Sequence, residues 1–249
     1  MSAAGWQQHG RRMAQSFVQR WPSNARLTVY AEGFVPDVAG LDVRQLPNWL
    51  EPFRERHSGK PRLDGCVAGG YDFRYDLRKF AFKSAAMTDF GLSVNDGVMI
   101  WLDADTYFHS DVTEEFLVER FPEPAYLAWL ERQGGFPETG FVMFRPAHPA
   151  HRKFMTTLRD LYVTDAVLKQ AELHDAFLIW EIGKAMVRKG EVPPVVNLSG
   201  EAWRASHPAI VGPLGSILDH MKGPRKEEGK SRKRDLIRPR PEPYWQDVR

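Results

Sequence analysis

The chain has 249 residues, of which 43% are hydrophobic and 27% charged. This composition excludes a disordered protein and fits one globular domain with a full core. No apolar run approaches the roughly 20 residues needed to span a bilayer, and the first residues lack the apolar centre of a signal peptide. With Cys66 as the single cysteine, an internal disulfide is excluded, and we expect a cytoplasmic protein.

The formal net charge is only +2, but its distribution is uneven. Residues 222–240 carry nine Lys or Arg and three Asp or Glu, a local charge of +6 against −4 for the rest. Such a segment either binds an anionic partner or is simply a solvated terminus. We therefore expect a domain over residues 1–221 and a basic extension over residues 222–249, the first part of which covers the ligand site.

Hydrophobic periodicity predicts strands that alternate with helices. Met13, Phe17 and Trp21 recur every four residues, which is typical of an amphipathic helix ending at Trp21. Asp111, with Glu114 three residues later, resembles a capping box that begins another helix. The alternation predicts an α/β fold in which helices flank a mostly parallel central sheet. The predicted strands are 27–31, 41–43, 98–102, 126–130, 140–144 and 193–197. The other predicted helices are 75–89, 154–162 and 175–189, and the stretch over 46–70 is irregular or a broken helix.

The apolar strand over residues 98–102 leads directly to Asp103 and Asp105. Carboxylates are costly inside a sheet, so they belong at the carboxyl edge of the strand, where open α/β sheets bind ligands. Two oxygen ligands at one place suit Mg²⁺ or Mn²⁺, ions that share their coordination with substrate phosphates. Asp-x-Asp alone is a weak motif, and both residues could simply begin a surface loop.

A second cluster of reactive residue types begins at His220. The imidazole can complete a metal site that two carboxylates begin. Gly223 permits close approach of the backbone to a ligand, and Lys222 and Lys226 can neutralise a diphosphate. A lone histidine is more often structural, but its place before a glycine and several cations favours a ligand role.

Together, Asp-x-Asp at a strand end and His-x-x-Gly-x-x-Lys near the C-terminus resemble the GT-A-fold nucleotide-sugar glycosyltransferases. The second motif is most similar to the glycogenin and lipopolysaccharide galactosyltransferase group. The resemblance covers residues 71–231. It implies a GT-A fold and a metal-dependent hexosyltransferase that uses Mn²⁺ or Mg²⁺. The implied donor is a nucleotide-diphosphate sugar, most plausibly a UDP-sugar, and the implied acceptor is the hydroxyl of a glycan or a lipid-linked molecule.

The resemblance also implies roles for individual residues. Asp105 binds the metal directly, Asp103 binds the metal or the donor ribose, and His220 is the third ligand. Lys226 and Lys222 contact the diphosphate, beside Gly223. Arg74 and Lys83 are expected donor contacts, although a solvated helix face explains both equally well.

Two further acidic residues are candidates for catalysis. Asp175 is expected to begin a helix, where it either caps the helix N-terminus or faces the sugar and the acceptor. Glu138 enters a strand where such enzymes line the acceptor pocket, and it could equally be an exposed loop acid. The chain lacks the Asp-Gln-Asp of the glycogenin-like group, so the stereochemistry stays open. It also begins with the helix that usually follows the first strand, so either that strand is missing or the base is held differently.

Three alternatives compete with this interpretation. Asp103-Ala104-Asp105-Thr106 also fits the first motif of haloacid-dehalogenase-type phosphatases, although that motif normally lies near the start of its domain. A nucleic-acid binder would explain the basic extension, but no nucleic-acid motif is present and we consider it unfavourable. An inactive sugar-nucleotide-binding remnant would explain the apparent absence of the first strand.

Overall fold

The computed structural model describes residues 1–205 and 207–221, and it confirms the predicted α/β class. Helix α1 (Ala3–Gly5), a π-helical stretch (Trp6–Gly10) and helix α2 (Arg11–Arg20) follow one another without interruption. The buried face of α2 includes Met13 and Phe17, and the helix ends at the predicted place. Before α1, Ser2 forms a parallel bridge with Glu32.

Within the described residues, the first strand in chain order is β1 (Thr28–Tyr30), which pairs in parallel with β2 (Asp42–Arg44). Helix α3 (Leu50–Arg56) lies in the stretch that we expected to be irregular or a broken helix, and it precedes a small hairpin of β3 (Cys66–Val67) and β4 (Gly70–Tyr71). Helix α4 (Leu77–Ser93) follows. The cap of α4 is Asp76, whose carboxylate accepts a hydrogen bond from the backbone N–H of Lys79.

The central sheet contains β5 (Met99–Leu102), β7 (Leu127–Leu130), β8 (Glu138–Phe144) and β9 (Val196–Asn197), in the spatial order β5-β8-β7-β9. Strand β8 pairs antiparallel with both β5 and β7, whereas β7 and β9 are parallel. The prediction of mostly parallel pairing is therefore wrong for this sheet, although β5, β7 and β9 share one direction. The physical reason is the short connection over residues 131–137, because a parallel crossover needs about a dozen residues or more.

Helices cover both faces of this sheet. Along β8, Val142 and Phe144 pack with helices α4, α6 (Pro149–Val163) and α7 (Asp175–Arg188), whereas Phe141 and Met143 face the opposite core with α2. This alternation follows from the two-residue period of a strand, and it explains why β8 is buried along its whole length. Among the described helices, none combines the length and apolar character needed to cross a membrane.

A separate two-stranded sheet brings the end of the described chain next to Asp103 and Asp105. Strand β6 (Thr106–Phe108) pairs antiparallel with β10 (Leu218–His220), which follows the short helix α8 (Pro208–Val211). The register places His220 opposite Thr106, next to Asp105. The predicted extension over residues 222–249 lies outside the described residues.

Two expected helix caps differ in the structure. Helix α5 (Glu114–Arg120) begins three residues after Asp111, and its cap is Thr113, whose hydroxyl accepts from the N–H of Phe116. Asp111 instead pairs with Arg20 at 3.0 Å. The cap of α7 is His174, so the interpretation of Asp175 as the capping residue is wrong. In both cases the side chain one residue before the helix can reach the free N–H groups of the first turn.

Candidate metal and donor site

The three predicted metal ligands converge on one point. Asp103, Asp105 and His220 each offer a ligand atom, and these atoms lie within 4.8 Å of one another. The His220 Nε2 atom is 2.9 Å from Asp105 Oδ1 and 3.9 Å from Asp103 Oδ2. This spread suits a central divalent ion about 2.0–2.6 Å from each ligand. The convergence predicted from the sequence is thus confirmed, although 115 positions separate Asp105 from His220.

Local pairing of the backbone creates this convergence. Asp103 follows β5 and its N–H donates to the carbonyl oxygen of Gly140 at 2.9 Å. A turn then leads into β6, and the N–H of Met221 donates to the carbonyl oxygen of Asp105 at 2.9 Å. Both ends of the cluster are therefore fixed by backbone hydrogen bonds, which hold side chains more rigidly than a free loop would.

Gly140 makes room for the His220 ring. A Cβ atom at position 140 would overlap the imidazole, with its closest approach to Cε1. The ring consequently lies directly against strand β8, where only glycine leaves enough space. Sequence reasoning gave Gly140 no role, because the need for glycine at this position is visible only once its neighbour His220 is known.

Glu138 lies behind His220 rather than in the open part of the site. Its Oε1 atom is 2.7 Å from His220 Nδ1, and the residue is 2% exposed. Its other oxygen, Oε2, lies 3.4 Å from Nδ1 of His207, and His207 Nε2 is 3.2 Å from the carbonyl oxygen of His220. The alternative of an exposed loop acid is therefore wrong. A carboxylate on Nδ1 favours the tautomer in which Nε2 presents a lone pair to a metal.

A second group of charges is arranged around Lys83. Its Nζ atom is 2.8 Å from Asp103 Oδ1 and 2.7 Å from Asp175 Oδ2. It also donates to the carbonyl oxygen of Thr139 at 2.8 Å. Asp103 Oδ1 accepts a further hydrogen bond from Trp101 Nε1 at 2.7 Å. The solvated helix face that we considered for Lys83 is thus wrong, since the amine lies between two carboxylates.

Burial and charge oppose one another in this group. Burial lowers the pKa of Lys83, but the carboxylates of Asp103 and Asp175 outweigh it and hold the pKa above its usual value. Burial raises the pKa of Asp175, but the charge of Lys83 and hydrogen bonds from Lys83 and Thr139 hold it below its usual value. The Thr139 hydroxyl donates to Asp175 Oδ2 at 2.5 Å. Both groups are therefore charged at neutral pH.

The remaining predicted residues divide into two sets. The Arg74 side chain is half exposed and makes a two-pronged ion pair with Asp72, with Nη2 2.6 Å from Oδ2. Arg74 lines the same cleft as Asp103, Asp105 and Asp175. The predicted diphosphate contacts Lys222, Gly223 and Lys226 lie outside the described residues.

These side chains face one open cleft of about 1890 Å³. Its lining includes Asp103, Asp105, Asp175, Lys83 and His220. The volume exceeds the roughly 300–1000 Å³ of ordinary ligand pockets, so a bulky donor and an acceptor could occupy it together. Sequence reasoning did not identify His207, Thr139 or Trp101, because none of them belongs to a spaced motif and each contributes only through its position in the fold.

No protein-family model matches the chain, and no curated protein matches it. Among solved structures, the chain is similar to mouse xyloside xylosyltransferase 1 in an apo crystal structure, with 15% sequence identity and a TM-score of 0.47. The similarity covers 80% of this chain and 83% of that chain. A likeness at this distance concerns the course of the backbone, so any statement on function depends on the side chains of the site.

Proposed function

We propose that the chain is a metal-dependent glycosyltransferase with a GT-A-like catalytic domain over residues 1–221. It would move a sugar, by the resemblance a hexose, from a nucleotide-diphosphate donor to an acceptor hydroxyl. The single observation that carries this proposal is the convergence of Asp103, Asp105 and His220 at the edge of the cleft. Within the described residues, this is the group whose geometry suits a metal ion.

The three candidate ligand side chains fit a hard divalent cation. Two carboxylates and one imidazole suit Mn²⁺ or Mg²⁺, and their three ligand atoms leave positions for phosphate oxygens. When bound, the ion would supply positive charge next to the diphosphate that leaves the sugar. Glu138 would act as a positioning residue, because its carboxylate holds the Nδ1 side of His220. This assignment differs from the catalytic role that the resemblance implied.

In the proposed reaction, the acceptor oxygen forms a bond to the anomeric carbon. The bond between that carbon and the diphosphate oxygen breaks, and its electron pair stays on the diphosphate. Asp175 is ionised and its pKa is lowered, so it is a weak base. We therefore assign the hydroxyl proton to the leaving diphosphate, while Asp175, whose charge Lys83 neutralises, would orient the sugar.

Lys83 would hold the two acidic groups at a fixed separation. Its ammonium bridges Asp103, on the metal side, and Asp175, on the sugar side. This contact links the place of the diphosphate to the place of the anomeric carbon. The expected donor contacts of Arg74, Lys222, Gly223 and Lys226 remain part of the proposal, with UDP-sugars as the first donors to test.

The proposal is tested with the variant Asp105→Asn, which retains the shape of the side chain but removes the charge that the cation needs. The control is Asp111→Asn, which changes an exposed aspartate paired with Arg20. With Mn²⁺ and a panel of nucleotide-sugars, we expect donor cleavage by the wild type and the control, and its loss in Asp105→Asn. The measurement is release of the nucleoside diphosphate.

Three results would contradict the proposal. Hydrolysis of phosphomonoesters without any cleavage of nucleotide-sugars would favour the haloacid-dehalogenase-type phosphatase. Metal-dependent donor binding without turnover, detected as a donor-induced rise in the melting temperature, would favour the inactive remnant. Turnover by Asp105→Asn at the wild-type rate would exclude the metal site itself.

A further inference from the structure

Two exposed aromatic rings stand at the rim of the cleft. Most large hydrophobic side chains of the described residues are buried, but Tyr71 is 60% exposed and Phe73 is 51% exposed. The two residues are separated by one position, and both line the cleft that contains the metal and donor site. Single exposed hydrophobic residues are common, whereas paired rings beside a polar site are typical of ligand recognition.

Both rings are held in place by the fold. The Tyr71 hydroxyl donates to Asp76 Oδ2 at 2.7 Å, and burial together with this bond raises its pKa to about 12. Gly65 lies against the ring, since a Cβ atom there would come within 2.7 Å of Tyr71 Cε2. Phe73 packs on the His174 ring with centroids 5.2 Å apart. Because the rings are already ordered, a ligand could stack on them with little loss of side-chain conformational entropy.

The same contacts connect the rings to the reactive part of the site. His174 caps helix α7, and the next residue is Asp175, which contacts Lys83. Phe73 thus packs on the ring of the residue that directly precedes Asp175. A molecule that stacks on Phe73 would lie beside the place where the proposed function requires the acceptor hydroxyl.

We infer that Tyr71 and Phe73 form a platform for a saccharide acceptor, an inference that rests on the proposed function. A pyranose offers a face of C–H groups, which an aromatic ring attracts, and an edge of hydroxyls. Glu172, a charged side chain that also lines the cleft, is suited to those hydroxyls. The inference therefore commits to a saccharide as the group that is bound there.

The test uses the full chain with diamagnetic Mg²⁺, UDP and a panel of methyl glycosides and disaccharides. Saturation-transfer NMR reports which sugar protons contact the protein. We expect transfer to the C–H protons of at least one saccharide, and about three- to tenfold weaker binding in Phe73→Ala. Phe73→Trp should retain binding. Leu168→Ala is the control, since Leu168 is 42% exposed and is not part of the cleft lining.

Three outcomes would overturn the platform. These are no saccharide binding by the wild type, equal binding by Phe73→Ala and the control, or an equal loss of UDP affinity in Phe73→Ala, which would make the ring a nucleobase contact. Metal-dependent cleavage of nucleotide-sugars, measured separately, distinguishes the two levels of inference. Cleavage of nucleotide-sugars without saccharide binding would support the proposed function and contradict the platform. Saccharide binding that depends on Phe73, without cleavage of nucleotide-sugars, would support the platform and contradict the proposed function.

Discussion

The site has two halves, one around Asp105 and His220 and the other around Asp175 and Lys83. Both contain carboxylates, but the negative charge has a different partner in each half. Around Asp105 and His220, acidic oxygens and an imidazole nitrogen converge on a common point. Around Asp175, the corresponding point is occupied by the ammonium of Lys83. Asp103 belongs to both halves, because Oδ1 accepts from Lys83 while Oδ2 faces His220.

The Asp105 half is therefore a candidate place for a bound cation, whereas in the Asp175 half the cation is the protein's own Lys83. Converging carboxylates repel one another, and a site of this kind is stable only with a cation or a shared proton. A carboxylate with a fixed ammonium and a hydroxyl donor is already neutralised and needs no further partner. We therefore propose the Asp105 half as the place for a metal ion, whereas the ammonium of Lys83 bridges Asp175 and Asp103 in the other half.

The largest effect on stability is expected from Lys83→Met. The substitution keeps much of the volume but leaves the buried carboxylate of Asp175 without its cation. Loss of one partner of a buried pair costs about 3–5 kcal/mol, which urea unfolding would measure as a lower free energy of unfolding. The control is Lys153→Met, whose exposed pair with Glu191 should contribute about 1 kcal/mol or less.

Equal losses in these two variants would contradict the distinction between the halves. In that case the ammonium of Lys83 would contribute no more than a surface lysine, and the built-in cation would have no energetic meaning.

An intermediate effect is expected on metal affinity when Glu138 is replaced. Removal of a carboxylate behind a ligating histidine typically weakens metal binding about 10–100-fold, so Glu138→Leu should raise the dissociation constant of Mn²⁺ by that factor. Glu138→Gln should fall between this variant and the wild type, because its amide oxygen can still accept from Nδ1. Electron paramagnetic resonance of free Mn²⁺ gives the dissociation constants directly.

The same pair of variants distinguishes positioning from catalysis. If Glu138 is a catalytic acid, Glu138→Gln will lower turnover at saturating Mn²⁺ and leave the dissociation constant unchanged. Glu131→Gln is the matched control, since Glu131 accepts a hydrogen bond from Trp129 Nε1 and is not among the residues grouped for metal binding.

The smallest effect is expected from acid, through Asp175. Its pKa is lower in the folded state than in the unfolded chain, so the folded state binds fewer protons in this range. Its contribution is fully present above the unfolded pKa of about 3.9 and is lost as the pH falls through the folded pKa. Urea unfolding between about pH 6 and about pH 2.5, which brackets that pKa, should show a shallower loss of the free energy of unfolding for Asp175→Asn than for the wild type. Parallel curves would show that Asp175 does not contribute.

Much of the fold could be predicted from the hydrophobic periodicity of short segments of the chain. Strand β5 was predicted over residues 98–102 and is found at Met99–Leu102, and helix α7 was predicted over 175–189 and is found at Asp175–Arg188. Local signals were less reliable at the ends of helices. Asp111 and Thr113 are both good caps, and only the final backbone geometry selects Thr113.

The sequence by itself determined the α/β class and indicated Asp103, Asp105 and His220 as candidate metal ligands. Asp103 and Asp105 could be predicted as ligands because an apolar strand must release its carboxylates at its end. Tertiary structure alone decided that β8 runs against its neighbours and that Lys83 lies between Asp103 and Asp175. It also decided that Glu138 holds His220 from behind. The reason is that hydrophobic periodicity reports which face of a segment is buried, whereas the partner of a buried charge is set by contacts between residues far apart in the chain.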